Sequence, residues 1–310
     1  DIDRYDKLVE ERNGSLRFSE WYYGPQKRFF LSPQLKFFLG RNWLKKGTLT
    51  AAYQNVEESR INRNFGSLSR SHQIENVNVF SVNADFYGNI AEGHSVSYGL
   101  EWTYNKIRSE GFSLDLVLNS EKIIGYNNLT MIPSRYPSDG SSASSFAGYL
   151  NWIYRANNRL TLNGGLRVTG SKISARWNNT AQVDKLLSTL NLQTEALTYT
   201  LAITYRPNQK WQINSLISSG FRNPNIDDVG KIRESNGILL MPNSFLKPEY
   251  AYTFELGIKR TTPNKINFID LRPFITLVSR HIVRSDFIVF TDTTTTDEKT
   301  IIYNGEEVIT

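Results

Sequence analysis

The chain has 310 residues, a formal net charge of +6, 13% aromatic residues and no cysteine. The modest charge without a Lys/Arg block is typical of a mixed, solvated surface and argues against nucleic-acid binding, while the lack of cysteine excludes thiolate metal sites and disulfides. No stretch reaches the ~18 consecutive apolar residues of a membrane-spanning helix, but a spanning β-strand needs only alternate apolar residues, so the composition is compatible with a membrane barrel.

Alternation of apolar and polar side chains dominates the chain after a first, irregular segment. Residues 1–27 are charged and aromatic without regular alternation, and we expect a structured loop there. In the clearest strand, Val96, Leu100 and Tyr104 share one face, which is a period of two rather than a helical period. The predicted strands cover, in chain order, about 29–39, 47–63, 75–87, 95–104, 146–154, 160–168, 197–205, 211–221, 250–258 and 266–283, with a partial strand from Ile301.

The connections between these strands are of two unequal kinds. Short ones lie near 41–46, 88–93, 155–158, 206–210 and 261–265. Long ones lie at 64–74, 109–142, 177–194, 223–247 and 287–300. Short turns at one end of a sheet and long loops at the other are typical of outer-membrane barrels, which also carry an aromatic girdle at each interface. The predicted girdles are Trp152, Tyr154, Tyr205 and Trp211 beside the short turns, and Trp102, Tyr104, Phe221, Tyr250 and Tyr252 towards the long loops.

These features predict an all-β fold, an antiparallel up-and-down transmembrane β-barrel segment. A soluble β-sandwich is the alternative, but its strands are usually ~5–6 residues long with turns every ~8–12. In hydrocarbon, an open sheet edge costs several kcal/mol for each unpaired backbone group, and residues 306–310 end the chain just as another strand begins. We therefore expect residues 1–310 to be part of a single, larger barrel domain.

The alternation also assigns side chains to the interior of that barrel. If Phe221 and Tyr250 face lipid, then Arg222 and Glu249 face the lumen at the two feet of one long loop, where they either pair or contact a ligand. A basic side chain on the lipid face would cost ~2–4 kcal/mol near the bilayer midplane. The other side chains expected to face the lumen are Glu101, Asn163, Arg167, Arg206, Glu255 and Lys259.

Catalytic motifs such as a P-loop, H-E-x-x-H or G-x-S-x-G are absent, so we predict no enzymatic activity and no cofactor. Asp227 and Asp228 form an acidic pair that is more typical of solvated charge than of acid–base catalysis. His72 lies in the predicted loop 64–74, from which it could reach a ligand, although a single imidazole is weak evidence for a metal site. The candidate ligand-contact or rim residues are Arg222, Asn223, Asn225, Asp227, Asp228, Glu249 and His72.

Two sequence boxes flank the long loop 223–247. Phe221-Arg222-Asn223-Pro224-Asn225 precedes it, and Phe245-Leu246-Lys247-Pro248-Glu249 follows it, ahead of the strand Phe254-Glu255-Leu256-Gly257-Ile258-Lys259. They resemble the FRxP-type and NPxLKPE-type boxes and the E-x-G-x-K strand of TonB-dependent outer-membrane receptors. Further matches at 4–6, 21–26, 52–60 and 98–101 extend the resemblance over nearly the whole chain.

The resemblance implies part of a ~22-stranded barrel in a bacterial outer membrane, in contact with membrane lipid and lipopolysaccharide. It implies a plug domain of the same protein, contact with TonB through that plug, and active import of haem, haemoprotein-derived iron or a ferric siderophore. We expect the plug and the last strands to lie outside these 310 residues. Haem-type members often place an iron-binding His between the two boxes, but the histidines here are His72, His94 and His281, which leaves a siderophore or another chelate open. A passive porin and a cell-surface binding protein remain alternative functions.

Overall fold

The computed structural model describes residues 2–12, 14–120, 122–177, 189–230, 233–235, 238–240, 243, 245–262, 266–283, 300–303 and 306–309. Its two helices are α1 (Tyr5–Leu8) and α2 (Ile226–Val229). Its strands are β1 (Ile2–Asp3), β2 (Glu11–Arg12), β3 (Ser15–Leu16), β4 (Phe18–Tyr23), β5 (Lys27–Leu31), β6 (Gln34–Arg41), β7 (Leu44–Asn64), β8 (Ser69–Ala91), β9 (His94–Asn119), β10 (Lys122–Met131), β11 (Ser141–Arg155), β12 (Leu160–Arg176), β13 (Thr189–Asn208), β14 (Trp211–Arg222), β15 (Arg233–Ser235), β16 (Ile238–Leu240), β17 (Glu249–Thr261), β18 (Phe268–Leu271), β19 (Phe274–Ser279), β20 (Thr300–Tyr303) and β21 (Glu306–Ile309).

One large antiparallel sheet of 15 strands contains most of the chain. Its order is β1-β4-β7-β8-β9-β11-β12-β13-β14-β17-β18, with β5 and β6 also on β7, β10 on β9, and β19 on β17. Long strands that are neighbours in sequence are thus neighbours in the sheet, which confirms the predicted up-and-down fold. Within the described residues the two edges do not pair with each other, so the sheet is not closed. No described helix is long and apolar enough to cross a membrane.

A belt of apolar side chains covers one face of the sheet, here called the outer face. Strand register aligns the belt across neighbouring strands, as in Val82–Trp102–Phe146 over β8, β9 and β11. Leu160 lies opposite Tyr205, and Val168 lies opposite Leu197. The belt takes up about nine residues of each strand, which matches the ~9–11 residues that a tilted strand needs to cross a bilayer. The structure therefore has the predicted lipid-type surface.

The opposite, inner face is polar at the level of the belt. Arg167 on β12 forms an ion pair with Glu101 on β9, 3.1 Å apart across the intervening β11. The Tyr149 hydroxyl donates a 2.6 Å hydrogen bond to Asp85, and its ring lies over Gly99. A Cβ at Gly99 would be 2.7 Å from that ring, so glycine is required for this packing. Side chains from alternate strands thus interlock on the inner face.

Several strands extend well beyond the belt, and here the sequence-based boundaries were wrong. β7, β8 and β9 have 21, 23 and 26 residues. The predicted loop 64–74 is strand from Ser69 onward, and the predicted loop 109–142 contains the end of β9 and all of β10. Residues 132–140 remain as the connection between β10 and β11. In the predicted loop 177–194, β13 begins at Thr189.

Two further predictions at the edges of the sheet need correction. Residues 1–27 hold α1, the strands β1 to β4 and the first residue of β5, rather than a loop alone, and β1, β4 and β5 belong to the large sheet. The predicted single strand 266–283 is interrupted at 272–273, because Pro273 cannot donate a backbone hydrogen bond. The predicted loop 287–300 lies outside the described residues, apart from Thr300 in β20.

Candidate functional site on the inner face above the belt

The inner face becomes apolar where the strands extend beyond the belt, at the end with long connections. Ile107 on β9, Ile173 and Ala175 on β12, and Leu190 and Leu192 on β13 are buried there and form one cluster. Their sequence neighbours on the outer face, such as Lys172 and Gln193, are exposed. The apolar side chains have therefore changed faces, and the inner face at this level is the floor of a small hydrophobic core.

The helix α2 covers that floor. Ile226 and Val229 are its buried residues, and both join the apolar cluster. Asn225 caps the helix: its side chain accepts from the amides of Asp227 and Asp228, and the Asp228 carboxylate accepts from the Asn225 amide in return. This capping box satisfies amides that a short helix would otherwise leave unpaired. The sequence 223–230 thus folds inward onto the sheet.

Arg222 ties the helix to both feet of the loop. Its guanidinium lies 2.7 Å from both carboxylate oxygens of Asp228 and 3.1 Å from Glu249, which is its register partner on β17. Glu249 also accepts from the Ile282 amide and lies 3.0 Å from His281. The amide of Ile282, followed by the guanidinium of Arg222, lowers the pKa of Glu249. The alternation of apolar and polar residues therefore predicted the pairing of Arg222 with Glu249. It did not predict that His281 would join them.

Asn223 fastens the same segment to the neighbouring strands. Its side-chain amide donates a 2.6 Å hydrogen bond to Ser171 on β12, and its carbonyl oxygen accepts from Thr194 on β13 at 3.2 Å. Of the proposed rim residues, Arg222, Asn223, Asn225, Asp228 and Glu249 therefore all take part in holding the loop. Ligand contact by any of them remains a prediction.

A second connection, 132–140, lies on the inner face beside α2. Its backbone passes over Gly111, where a Cβ would come within 2.6 Å of the Ile132 carbonyl. Gln73 donates to the Pro133 carbonyl at 3.1 Å, and the Tyr136 amide donates to Ser109 at 3.2 Å. We call residues 132–140 and 222–230 together the inner shelf. Asp227, the remaining acidic rim residue, meets the other half of the shelf through a hydrogen bond to Tyr136.

An unusual carboxylate lies under the shelf. The Glu75 side chain is only 5% exposed, and neither of its oxygens has a hydrogen-bond partner within the described residues. The nearest cation is the guanidinium of Arg135, at 3.9 Å. Burial raises the pKa of Glu75, and the nearby Arg135 and Arg60 offset only part of that effect. Sequence reasoning missed both Glu75 and Arg135, because no motif links residues 60 positions apart.

His72 is not part of this site. It lies in β8 rather than in a loop, on the same face as its register partner Phe112, and the two rings stack with centroids 5.1 Å apart. Burial, followed by the nearby Arg70, lowers the pKa of its imidazole. The structure thus places His72 on the outer face, away from α2. Within the described residues, no three His, Cys, Asp or Glu side chains are grouped so that they could hold a metal ion.

The residues expected to face the lumen all lie on the inner face. Glu101 and Arg167 form the ion pair described above, and Arg206 donates to Gln212 on β14 at 2.9 Å. The side-chain oxygen of Asn163 is buried without a hydrogen-bond partner among the described residues. Glu255 and Lys259 alternate with the belt residues of β17. These positions agree with the faces assigned from the alternation in the sequence. Contact with a lumen or ligand stays a prediction.

A bilayer-wide belt, an up-and-down antiparallel sheet and a polar inner face define the chain as a segment of the membrane β-barrel class. Residues 2–309 match the sequence profile described as "TonB dependent receptor-like, beta-barrel". The chain therefore belongs to the TonB-dependent receptor family, in its β-barrel region, and the predicted resemblance is confirmed.

Solved structures share this fold at low sequence identity. The copper transporter OprC superposes with a TM-score of 0.63 at 11% identity, over 78% of this chain and 37% of its own. The siderophore receptor PiuA from Acinetobacter baumannii gives 0.56 at 14% identity, covering 86% and 42%. A double mutant of the Serratia marcescens hemophore receptor HasR, in complex with its hemophore HasA and heme, gives 0.54 at 18% identity, covering 82% and 40%.

The chain spans about two fifths of the length of these three proteins. No curated protein sequence matches it. At such identities the superpositions show the fold alone.

Proposed function

We propose that this chain is part of the barrel of an outer-membrane receptor that actively imports an iron-containing ligand, namely haem, haemoprotein-derived iron or a ferric siderophore. In this proposal the barrel is completed by further strands and holds a plug domain through which TonB supplies energy. The end with long connections faces outward. Family membership supports the general role, and the structural neighbours include a hemophore receptor, solved with its hemophore and heme, and a siderophore receptor.

The observation that carries the ligand class is the guanidinium of Arg135, in the 132–140 half of the inner shelf. The guanidinium of Arg135 is 3.9 Å from the Glu75 carboxylate, which is beyond hydrogen-bond length. Within the described residues it makes no side-chain hydrogen bond. Its side chain is 18% exposed, so part of it is accessible from solvent. A guanidinium with spare donors favours carboxylate or phenolate oxygens, which haem and ferric chelates carry.

The test uses the full-length receptor in cells whose other iron receptors are deleted. We expect uptake of a radiolabelled ferric siderophore or growth on haem, and loss of both when the proton-motive force is collapsed. Arg135→Gln should weaken ligand binding by about 10- to 100-fold, the range for losing one charge-assisted hydrogen bond. Arg41→Gln, at the other end of the sheet, is the matched control.

The same experiment separates the alternative functions. Uptake that persists without a proton-motive force indicates a passive porin. Surface binding without uptake indicates a cell-surface binding protein. Normal binding by the Arg135→Gln receptor would remove the charge argument for the ligand class while leaving active import standing.

A further inference from the structure

Four basic side chains stand on the outer face immediately beyond the belt, at the end with long connections. Lys106 and Arg108 are on β9, and Lys172 and Arg176 are on β12. All four are exposed. Within the described residues none of them forms an ion pair or a side-chain hydrogen bond. We call these four residues the basic quartet.

Strand register brings the quartet together around β11. Lys106 lies opposite Ser142, and Lys172 lies opposite Ser144, so two hydroxyl-bearing residues separate the two lysines. Neighbouring strands are ~4.8 Å apart, which puts β9 and β12 about 10 Å from each other. Long basic side chains from both strands can therefore contact one anionic group between them.

Among the described strands, the unpaired positive charge at this level is local to β9 and β12, because Lys27 on β5 is paired with Glu57 on β7 at 2.7 Å. At the same level of the outer face, β8 carries Asn76 and Asn78, and β13 carries Asn191 and Gln193. Two carboxylates border the quartet, Glu110 on β9 and Glu195 on β13, without pairing to it. A general solubilising surface would spread its cations over all the strands, so the concentration of positive charge indicates a specific anion.

The belt directly below the quartet is aromatic. Trp102 and Tyr104 stack with ring centroids 6.3 Å apart, and Phe146 lies opposite Trp102 on β11. Apolar surface on one side and unpaired cations on the other fit an amphiphile that has acyl chains and a phosphorylated headgroup.

We propose that the basic quartet binds the phosphates of lipid A, the phosphorylated glycolipid anchor of lipopolysaccharide. This inference rests on the proposed function, which places the quartet in the outer leaflet of an outer membrane. Lysine and arginine bind phosphate by charge-assisted hydrogen bonds, and Ser142 and Ser144 supply further donors. The site is formed by three adjacent strands and needs no other part of the barrel.

The test is native mass spectrometry of the full-length receptor in detergent with bisphosphorylated lipid A. We expect the variant with all four quartet residues replaced by Gln to bind lipid A at least about tenfold more weakly than the wild type. Glu195→Gln should bind it more tightly. The matched control replaces Arg41, Lys45, Arg159 and Lys210, at the short-turn end, by Gln, and it should retain wild-type binding.

Three outcomes decide the proposal. Equal loss in the quartet and control variants would overturn it, since the effect would then follow net charge alone. Equal binding of dephosphorylated lipid A, or binding that inorganic phosphate does not weaken, would also overturn it, since the quartet would then not recognise phosphate. Membrane fractionation of the same cells tests the proposed function separately: an outer-membrane receptor whose quartet variant retains lipid A refutes only the present inference.

Discussion

The belt and the region above it are built from the same strands but bury opposite faces. In β13, Leu197 and Leu201 point to the outer face within the belt, whereas Leu192, closer to the long connections, is buried on the inner face. Alternation is unbroken between them, so the apolar side chains have switched from odd to even positions. This switch follows a change of surroundings along the strand. Within the belt the outer face contacts hydrocarbon, whereas above the belt the outer face contacts water and the inner face covers a protein core.

The strongest way to break this comparison is to reverse polarity within the belt. Leu201→Arg puts a charge on the outer face, at a cost of ~2–4 kcal/mol near the bilayer midplane, and we expect little folded receptor in the membrane. Thr200→Arg puts the same charge on the inner face and should assemble normally. Heat-modifiability on gels measures the folded fraction. Equal defects in the two variants would refute the assignment of faces.

Above the belt, a substitution on the inner face should lower stability, because the apolar side chains there form a buried core. Leu192→Ala removes a buried side chain from the floor beneath α2, and we expect a loss of about 2–3 kcal/mol. Hydrogen exchange in 222–230 should rise accordingly. Gln193→Ala, on the exposed outer face, should change stability by less than about 0.5 kcal/mol. A larger effect of Gln193→Ala would mean that the faces do not switch.

Glu75 is a carboxyl group buried on the inner face above the belt, and removing its charge tests what that burial costs. Its pKa is raised, so the stability that its protonated form provides is complete below the unfolded pKa of ~4.3 and is lost as pH rises through the folded pKa. Glu75→Gln should therefore stabilise the receptor by about 1–2 kcal/mol at pH 7. Urea unfolding at pH 4 and pH 7 measures this. The exposed Glu110→Gln is the control, and a destabilised Glu75→Gln variant would contradict the prediction.

The smallest effect concerns the contacts of Glu249. Its pKa is lowered, so its contribution to stability is present above its unfolded pKa and disappears as pH falls through the folded pKa. We expect hydrogen-exchange protection of the Ile282 amide, corrected for intrinsic rates, to fall as pH drops below ~4. Glu249→Gln should remove this pH dependence. Protection that is unchanged at low pH in the wild type would contradict the contact.

The sequence predicted the belt well because lipid-facing strands obey a period of two. The assignment of Leu201, Phe221 and Tyr250 to one face, and the pairing of Arg222 with Glu249, followed from parity alone. Above the belt the same reasoning failed, since Leu190 and Leu192 are out of phase with the rest of β13 and read as loop. His72 was misplaced for a related reason: its segment of β8 has polar residues on both faces.

The contacts of the inner shelf could not be predicted from the sequence for a different reason. Arg135 reaches Glu75 only because 132–140 folds back over Gly111, a long-range contact with no local signal. Arg222 and Asn225 were proposed from the sequence as ligand-contact or rim residues, but their type did not reveal that hydrogen bonds within the loop occupy them. Such residues have the same sequence pattern whether they hold a loop or a ligand.

The Arg222–Glu249 pair has a practical consequence. It is the last register pair of β14 and β17, and its ion pair joins the two feet of the loop that follows β14. This pair holds both feet of the loop, while Asn223, Ile226 and Val229 fasten its first residues to the sheet beneath. A graft that replaces residues 231–248 and keeps 222–230 and Glu249 should therefore leave these anchors, and the strands that carry them, in place.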